Sequence, residues 1–157
     1  MKLPNAFQIK ELDAYTIQQR EIKSIDLMEE AASRATDYIS CHFTNKNRPI
    51  VVFAGPGNNG GDGLVIARLL SHAYYQNIQV FLFNTNNSLS EDCKANAERL
   101  KGECPEVSFT EIQQQFEAPE ISKDTIIVDA LFGTGLNKPL GGGYAALIKF
   151  INASQAK

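Results

Sequence analysis

Apolar residues follow one spacing up to about residue 45 and a different one after it. In the early part they recur three or four positions apart, which is the period of an amphipathic helix. This pattern predicts one helix over residues 7–20 and a second after Ser24, a suitable N-cap residue. The core-facing stripe of the second helix comprises Ile25, Met28, Ala32, Ala35 and Ile39.

From residue 50 onward, short apolar runs alternate with helical segments. Ile50 to Ala54 is a continuous apolar run before a glycine-rich turn, as expected for a strand buried on both faces. Further strands are predicted over residues 78–83, 107–109 and 125–130, and helices over 64–75, over 111–116, over 144–152 and from a Ser90 cap to about 101. The alternation predicts an α/β fold, a Rossmann-like, doubly wound, mainly parallel sheet with helices on both faces in three layers and two extra N-terminal helices.

Composition argues against nucleic acids and membranes as partners of this protein. The formal net charge is -3, so the basic surface typical of nucleic-acid-binding proteins is not expected. The sequence contains no apolar run of the length that crosses a bilayer and does not begin with a signal peptide, so no membrane partner is expected. Three cysteines without a Cys-x-x-Cys pair favour a reducing compartment, and we predict a cytoplasmic protein.

The segment after the first predicted strand, residues 55–63, is the clearest candidate for ligand binding. It contains Gly-x-Gly-x-x-Gly at Gly55, Gly57 and Gly60, between a strand and a helix. Glycine permits positive φ and close approach of a ligand, and a helix N-terminus suits phosphate. The alternative is a tight turn that binds nothing.

Three departures from familiar nucleotide loops restrict this interpretation. No Lys-Ser/Thr pair follows, so the segment is not a Walker A loop. Asn84 stands where an NAD dehydrogenase has an acidic residue for the ribose, which argues against such an enzyme. Asp62 would oppose a phosphate unless it points away as a helix cap.

A second glycine-rich stretch follows the fourth predicted strand, which ends near Asp129. In a doubly wound sheet of strand order three-two-one-four, strands one and four are neighbours and ligands bind in the crevice beside them. Asp129 is a candidate ion ligand or acid–base group if it is buried, or else a cap of the next loop. Asn58 and Asn59 offer oxygen to a hard cation or simply suit a turn, and Lys138 either meets an anion or is solvated.

At these residues the sequence resembles the YjeF N-terminal family, the NAD(P)H-hydrate epimerases. The resemblance is carried by residues 55–63, by Val128-Asp129-Ala130-Leu131-Phe132-Gly133-Thr134-Gly135, and by Leu27-Met28-Glu29 in the leading helices. It covers nearly the whole chain, residues 1–157. It implies an isomerase that interconverts the R and S epimers of hydrated NADH or NADPH in cofactor repair.

The resemblance also implies site residues and partners. Potassium would be the bound ion, with Asn59 and Asp129 as ligands, and Asp129 is also the best acid–base candidate. A fused or separate ATP-dependent dehydratase and a homodimer are the implied partners. The implied substrate contacts are Asn58, Asn59, Gly60, Gly61, Asp62, Gly133, Thr134, Gly135, Leu136, Asn137, Lys138 and Pro139.

One part of the family pattern is not found. Family members carry a further strand that ends in an Asp-x-Pro-Ser-Gly-like motif, and residues 155–157 do not supply it. We therefore expect a domain that lacks its last strand or strands and a helix. The competing prediction is a non-catalytic nucleotide-ligand or protein-interaction module of the same fold.

Overall fold

The computed structural model describes residues 4–136 and 139–156. Its described elements are five helices and four strands: α1 (Ala6–Arg20), α2 (Ser24–His42), β1 (Ile50–Ala54), α3 (Asn58–His72), β2 (Ile78–Phe83), α4 (Glu91–Glu103), β3 (Ser108–Ile112), β4 (Ile126–Ala130) and α5 (Gly142–Ala153). The predicted α/β class and the two leading helices are confirmed.

The four strands form one parallel sheet in the order β3-β2-β1-β4, as predicted. Ile50 of β1 pairs in register with Ile78 of β2 on one side and with Ile126 of β4 on the other. Every residue of β1 is buried, which explains why its sequence is apolar without alternation. Among the described strands β4 has β1 as its single neighbour, so β4 is an edge strand.

Helices cover both faces of the sheet. On one face α2, α3 and α4 enclose the larger core, in which Val52, Leu64 and Leu100 are fully buried. On the other face Phe53 and Leu147 of α5 belong to a second core. Each large apolar side chain removed from water in this way contributes roughly 1.5–3 kcal/mol.

Three local predictions were wrong. Lys23, not Ser24, is the N-cap of α2, and its N–H donates to the Asp26 carboxylate at 2.9 Å. The helix α3 begins at Asn58, six residues before the predicted start. The predicted helix over residues 111–116 does not form, because β3 continues to Ile112 and the chain then crosses the second face.

Phe116 explains why that crossing segment is not helical. Its ring packs edge-on against Phe81 and Phe83, with centroids 5.3 Å and 5.1 Å away. Phe116, together with Ile121, thus anchors the connection between β3 and β4 to the second core. Elsewhere, no helix within the described ranges is both long and apolar enough to cross a membrane.

Candidate active site

The first glycine-rich segment is a short turn followed directly by helix. β1 ends at Ala54, and Gly57 is the N-cap of α3 with an extended backbone, φ -93° and ψ -168°. No described side chain caps this helix start. Its first-turn N–H groups therefore point out of the turn, as in sites that receive anionic ligands.

Most glycines of this segment are required by close packing against neighbouring backbone or side-chain atoms. A Cβ on Gly55 would lie 2.0 Å from the Leu131 carbonyl oxygen, and one on Gly60 would lie 1.8 Å from the Gly55 carbonyl oxygen. A Cβ on Gly63 would lie 2.5 Å from that of Ala130. Within the fully described span 55–63 no glycine has a positive φ, so the conformational reason for glycine does not apply here.

Gly57 is different from its neighbours. A Cβ built on it would meet nothing within 4 Å, and Gly57 lines an open cavity. Gly60 and Gly61 are buried behind this surface. The segment therefore combines a tightly packed base with one glycine that faces free space.

The cavity beside Gly57 has a volume of about 710 Å³ and lies at the carboxyl ends of β1 and β4. It is the crevice predicted from the strand order, with one glycine-rich segment on each side. Of the predicted substrate contacts it brings together Asn58, Asn59, Asp62, Gly133, Thr134, Gly135 and Leu136. Gly60, Gly61 and Pro139 do not line it, and Asn137 and Lys138 lie outside the described residues.

A direct contact links the two segments. A Cβ on Gly133 would lie 3.2 Å from the Cβ of Asn59, so the second segment passes close over the start of α3. In addition, the Gly55 N–H donates to the Ala130 carbonyl at 2.9 Å. These contacts explain why both segments are needed to form one cavity.

Asp62 lies in the second turn of α3 and lines the cavity. Its side chain therefore faces the cavity and does not point away as a helix cap, which was the alternative that the sequence allowed. Burial and, to a lesser extent, the nearby negative charge of Asp13 raise its pKa from 3.8 to about 6. This carboxyl group titrates close to neutrality.

Asp129 lies elsewhere and is not buried. It is exposed near the end of the edge strand β4 and does not line the cavity. Its Oδ1 accepts a hydrogen bond from the Leu131 N–H at 3.1 Å. This is the local capping arrangement that the sequence left open beside an acid–base or ion-binding role.

Sequence reasoning missed the contribution of α1. Ile9, Lys10 and Asp13 form one wall of the cavity, with Asn86 and Tyr144 contributed by two other elements. The sequence holds no signal for this wall, since these α1 residues stand more than forty positions before the glycine-rich segment and match no motif. Only the tertiary placement of α1 brings them to the site.

The donor groups suit an oxygen-ligated cation better than a transition metal. No group of three or more His, Cys, Asp or Glu side chains with metal-binding geometry occurs in the part of the chain that the structure describes. Asn59 and Asp129 offer amide and carboxylate oxygens, which hard cations prefer.

A second cavity, of about 540 Å³ beside α5, is lined mainly by apolar and aromatic side chains such as Phe83, Phe116 and Leu147.

Comparison with known proteins identifies the family of this chain. Residues 24–157 match the family described as YjeF-related protein N-terminus. An NAD(P)H-hydrate epimerase of Limosilactobacillus fermentum is 37% identical over 152 residues, which cover 96% of this chain and 68% of the relative. A bifunctional NAD(P)H-hydrate repair enzyme of Thermofilum pendens is 36% identical, across 98% of this chain and 29% of the relative.

A solved structure shares the fold. The crystal structure of yeast ynu0 superposes with a TM-score of 0.79 at 26% identity, and the match covers 99% of this chain and 66% of the yeast chain. An epimerase of Lentilactobacillus buchneri, 36% identical, is matched over 65% of its length. The chain thus spans about two thirds of these two relatives.

Proposed function

Because the chain belongs to the family of YjeF-related protein N-termini, we propose that it is an isomerase that interconverts the R and S epimers of hydrated NADH and NADPH. The observation that carries this proposal is the cavity at the carboxyl ends of β1 and β4. It gathers seven of the predicted substrate contacts from two distant segments of the chain. The relatives named NAD(P)H-hydrate epimerase support the same reaction.

The cavity offers distinct surroundings for the two parts of such a substrate. The uncapped start of α3 at Gly57 suits the pyrophosphate, because free N–H groups and the helix dipole favour negative charge. Lys10 on the opposite wall adds a positive charge. The hydrated ring would then lie toward Asp62 and Tyr144, one carboxyl and one aromatic group of the lining.

Potassium is part of the proposal. Asn59, which lines the cavity, and Asp129, which does not, would hold it through their side-chain oxygens, and the ion would supply a fixed positive charge. Asn59 fits this role because it lines the cavity against Gly133. Asp129 fits through its accessible carboxylate, although one of its oxygens accepts the Leu131 N–H.

Epimerisation requires the ring hydroxyl to leave from one face and return to the other. We propose that the hydroxyl leaves as water, that nearby carboxylate charge stabilises the resulting ring cation, and that water then adds again.

The proposed partner is an ATP-dependent dehydratase that consumes the S epimer, since relatives are named bifunctional repair enzymes. A homodimer in the cytoplasm remains our prediction.

The test is epimer interconversion. Purified R epimer of hydrated NADH is incubated with the protein, and the S epimer is followed by chromatography in potassium and then in sodium. We expect conversion above the rate without enzyme, and faster in potassium. A rate equal to that without enzyme in both salts would contradict the proposal.

A pair of variants ties this activity to the cavity. Thr134 lines the cavity, whereas Thr110 is exposed on the edge strand β3. Thr134→Ala is expected to raise KM severalfold because a polar contact to substrate is lost. Thr110→Ala is the control, for which unchanged kinetics are expected, and equal effects of both would argue that the cavity is not the site.

A further inference from the structure

Two carboxyl groups from different helices face the same cavity. Asp62 belongs to α3 and Asp13 to α1, and both line the space that also holds Gly57. Lys10 is the other charged side chain among the described residues of the lining. A carboxyl pair with one nearby cation is an arrangement in which one proton is retained.

Asp62 is held in a fixed position. It follows Gly61 and precedes Gly63, whose Cα atoms approach Met28 and Ala130 so closely that a Cβ would meet their side chains at 2.8 Å and 2.5 Å. This part of α3 therefore has little freedom to shift or rotate. A catalytic group needs such fixed placement to meet the reacting atom at the correct distance.

Protonation supports an acid–base role for Asp62. Burial and the charge of Asp13 raise its pKa to about 6, so both its protonated and ionised forms are accessible near neutrality. Asp129, the candidate from the sequence, lacks this setting because it is exposed and does not line the cavity.

We propose that Asp62 is the catalytic acid and base of the epimerisation and that Asp13 is a positioning residue that keeps a proton on Asp62; this inference rests on the proposed function. The Asp62 carboxyl group donates its proton to the ring hydroxyl. The C–O bond breaks with its electron pair moving to oxygen, water leaves, and the ring nitrogen lone pair forms the iminium bond.

The return step restores the enzyme. Water adds to the other face of the ring carbon, the iminium π electrons return to nitrogen, and the Asp62 carboxylate accepts the proton released by the added water. No oxidant or reductant is consumed, and one water leaves for each that adds. Between the two steps the Asp62 carboxyl group is ionised, and its negative charge stabilises the positively charged ring.

The experiment compares pH profiles of kcat for hydrated NADH, after subtraction of the rate without enzyme at each pH. For the wild type we expect kcat to fall as pH rises above about 6, because the proton donor is lost. Asp62→Asn should lower kcat by about 10²–10³ and abolish this fall. Asp13→Asn should move the fall to lower pH, because the charge that keeps the proton on Asp62 is gone.

Glu11→Gln provides the matched control. Glu11 is exposed on the same helix, two residues from Asp13, and does not line the cavity. Its removal should leave both kcat and the profile unchanged. A wild-type profile retained by Asp62→Asn, or a fall that Asp13→Asn does not move, overturns the inference while leaving the proposed function intact.

Two further outcomes separate the hypotheses. No turnover by the wild type above the rate without enzyme overturns the proposed function and the inference together. Loss of kcat in Asp129→Asn with Asp62→Asn fully active would return the acid–base role to Asp129. Melting temperatures of all variants verify that each compared protein is folded.

Discussion

The two glycine-rich segments of the cavity differ in the space around their glycines. In the first, residues 55–63, Gly55 and Gly60 have backbone atoms within about 2 Å of any added Cβ. In the second, Gly135 and Gly141 would meet nothing within 4 Å. One segment is rich in glycine because there is no room for side chains, and the other because its surroundings are open.

This difference assigns different tasks to the two segments. Interiors pack at crystal-like density, so the first segment has one arrangement and fixes the floor of the site. The second is fixed near Gly133 by its contact with Asn59, and beyond that point its described residues up to Gly141 are exposed apart from the half-buried Leu140. Substitution of a tightly packed glycine should therefore damage stability in the first segment, whereas substitution of an open glycine of the second should leave it unchanged.

The largest effect is expected for Gly60→Ala. The new Cβ would lie 1.8 Å from the Gly55 carbonyl oxygen, a backbone atom that cannot move without displacing β1. We expect a loss of at least about 3 kcal/mol in the free energy of unfolding. Denaturant titration measures it, and a loss below about 1 kcal/mol would show that this packing is not tight.

Gly57→Ala tests the exception within the first segment. Its Cβ has free space, so we expect an unchanged melting temperature, while the added methyl group obstructs the cavity and raises KM about tenfold. Gly102→Ala is the matched control, since a Cβ there also meets nothing and lies outside the cavity. Equal KM values for the two variants would remove Gly57 from the binding surface.

Asp62→Asn tests whether burying the ionised Asp62 carboxylate lowers the stability of the folded protein. Its folded pKa of about 6 lies above the ordinary value of 3.8, so the wild type loses stability as pH rises from about 4 through 6. The neutral amide avoids this cost. We expect a melting temperature a few degrees above that of the wild type at pH 8 and equal to it at pH 4, and the reverse order would contradict the assigned shift.

The smallest effect is expected for Gly135→Ala. Its surroundings are open and its φ is not in the positive range, so the free energy of unfolding should change by less than about 0.5 kcal/mol. A loss as large as that of Gly60→Ala would erase the distinction between the segments. Chemical denaturation of both variants in one series gives the comparison directly.

The sequence predicted the sheet well because its signals are local. The apolar run of β1 and the bounds of β2 follow from residue type alone, and the order of strands is the one typical of doubly wound sheets. The start of α3 was misplaced because Asn-Asn-Gly-Gly is typical of a turn. Here tight packing of the glycines against neighbouring backbones outweighs that local preference.

The site was only partly predictable. The motifs identified its two segments, but the pairing of Asp62 with Asp13 depends on how α1 packs, and no periodicity encodes that. The exposure of Asp129 depends on which strands flank β4, which is again a property of the assembled sheet. Tertiary placement, not local pattern, decides which carboxylate meets the cavity.

The thin attachment of α1 has a kinetic consequence. No described side chain of α1 is buried, and its visible link to α2 is the exposed pair of Arg20 and Glu30, with contacts of 2.7 Å and 2.6 Å. Exposed ion pairs contribute little to stability and weaken with salt. Helix α1, which carries Asp13, should therefore detach far more often than the sheet unfolds. Detachment of α1 would then set the residence time of a bound molecule. This residence time should shorten as ionic strength increases.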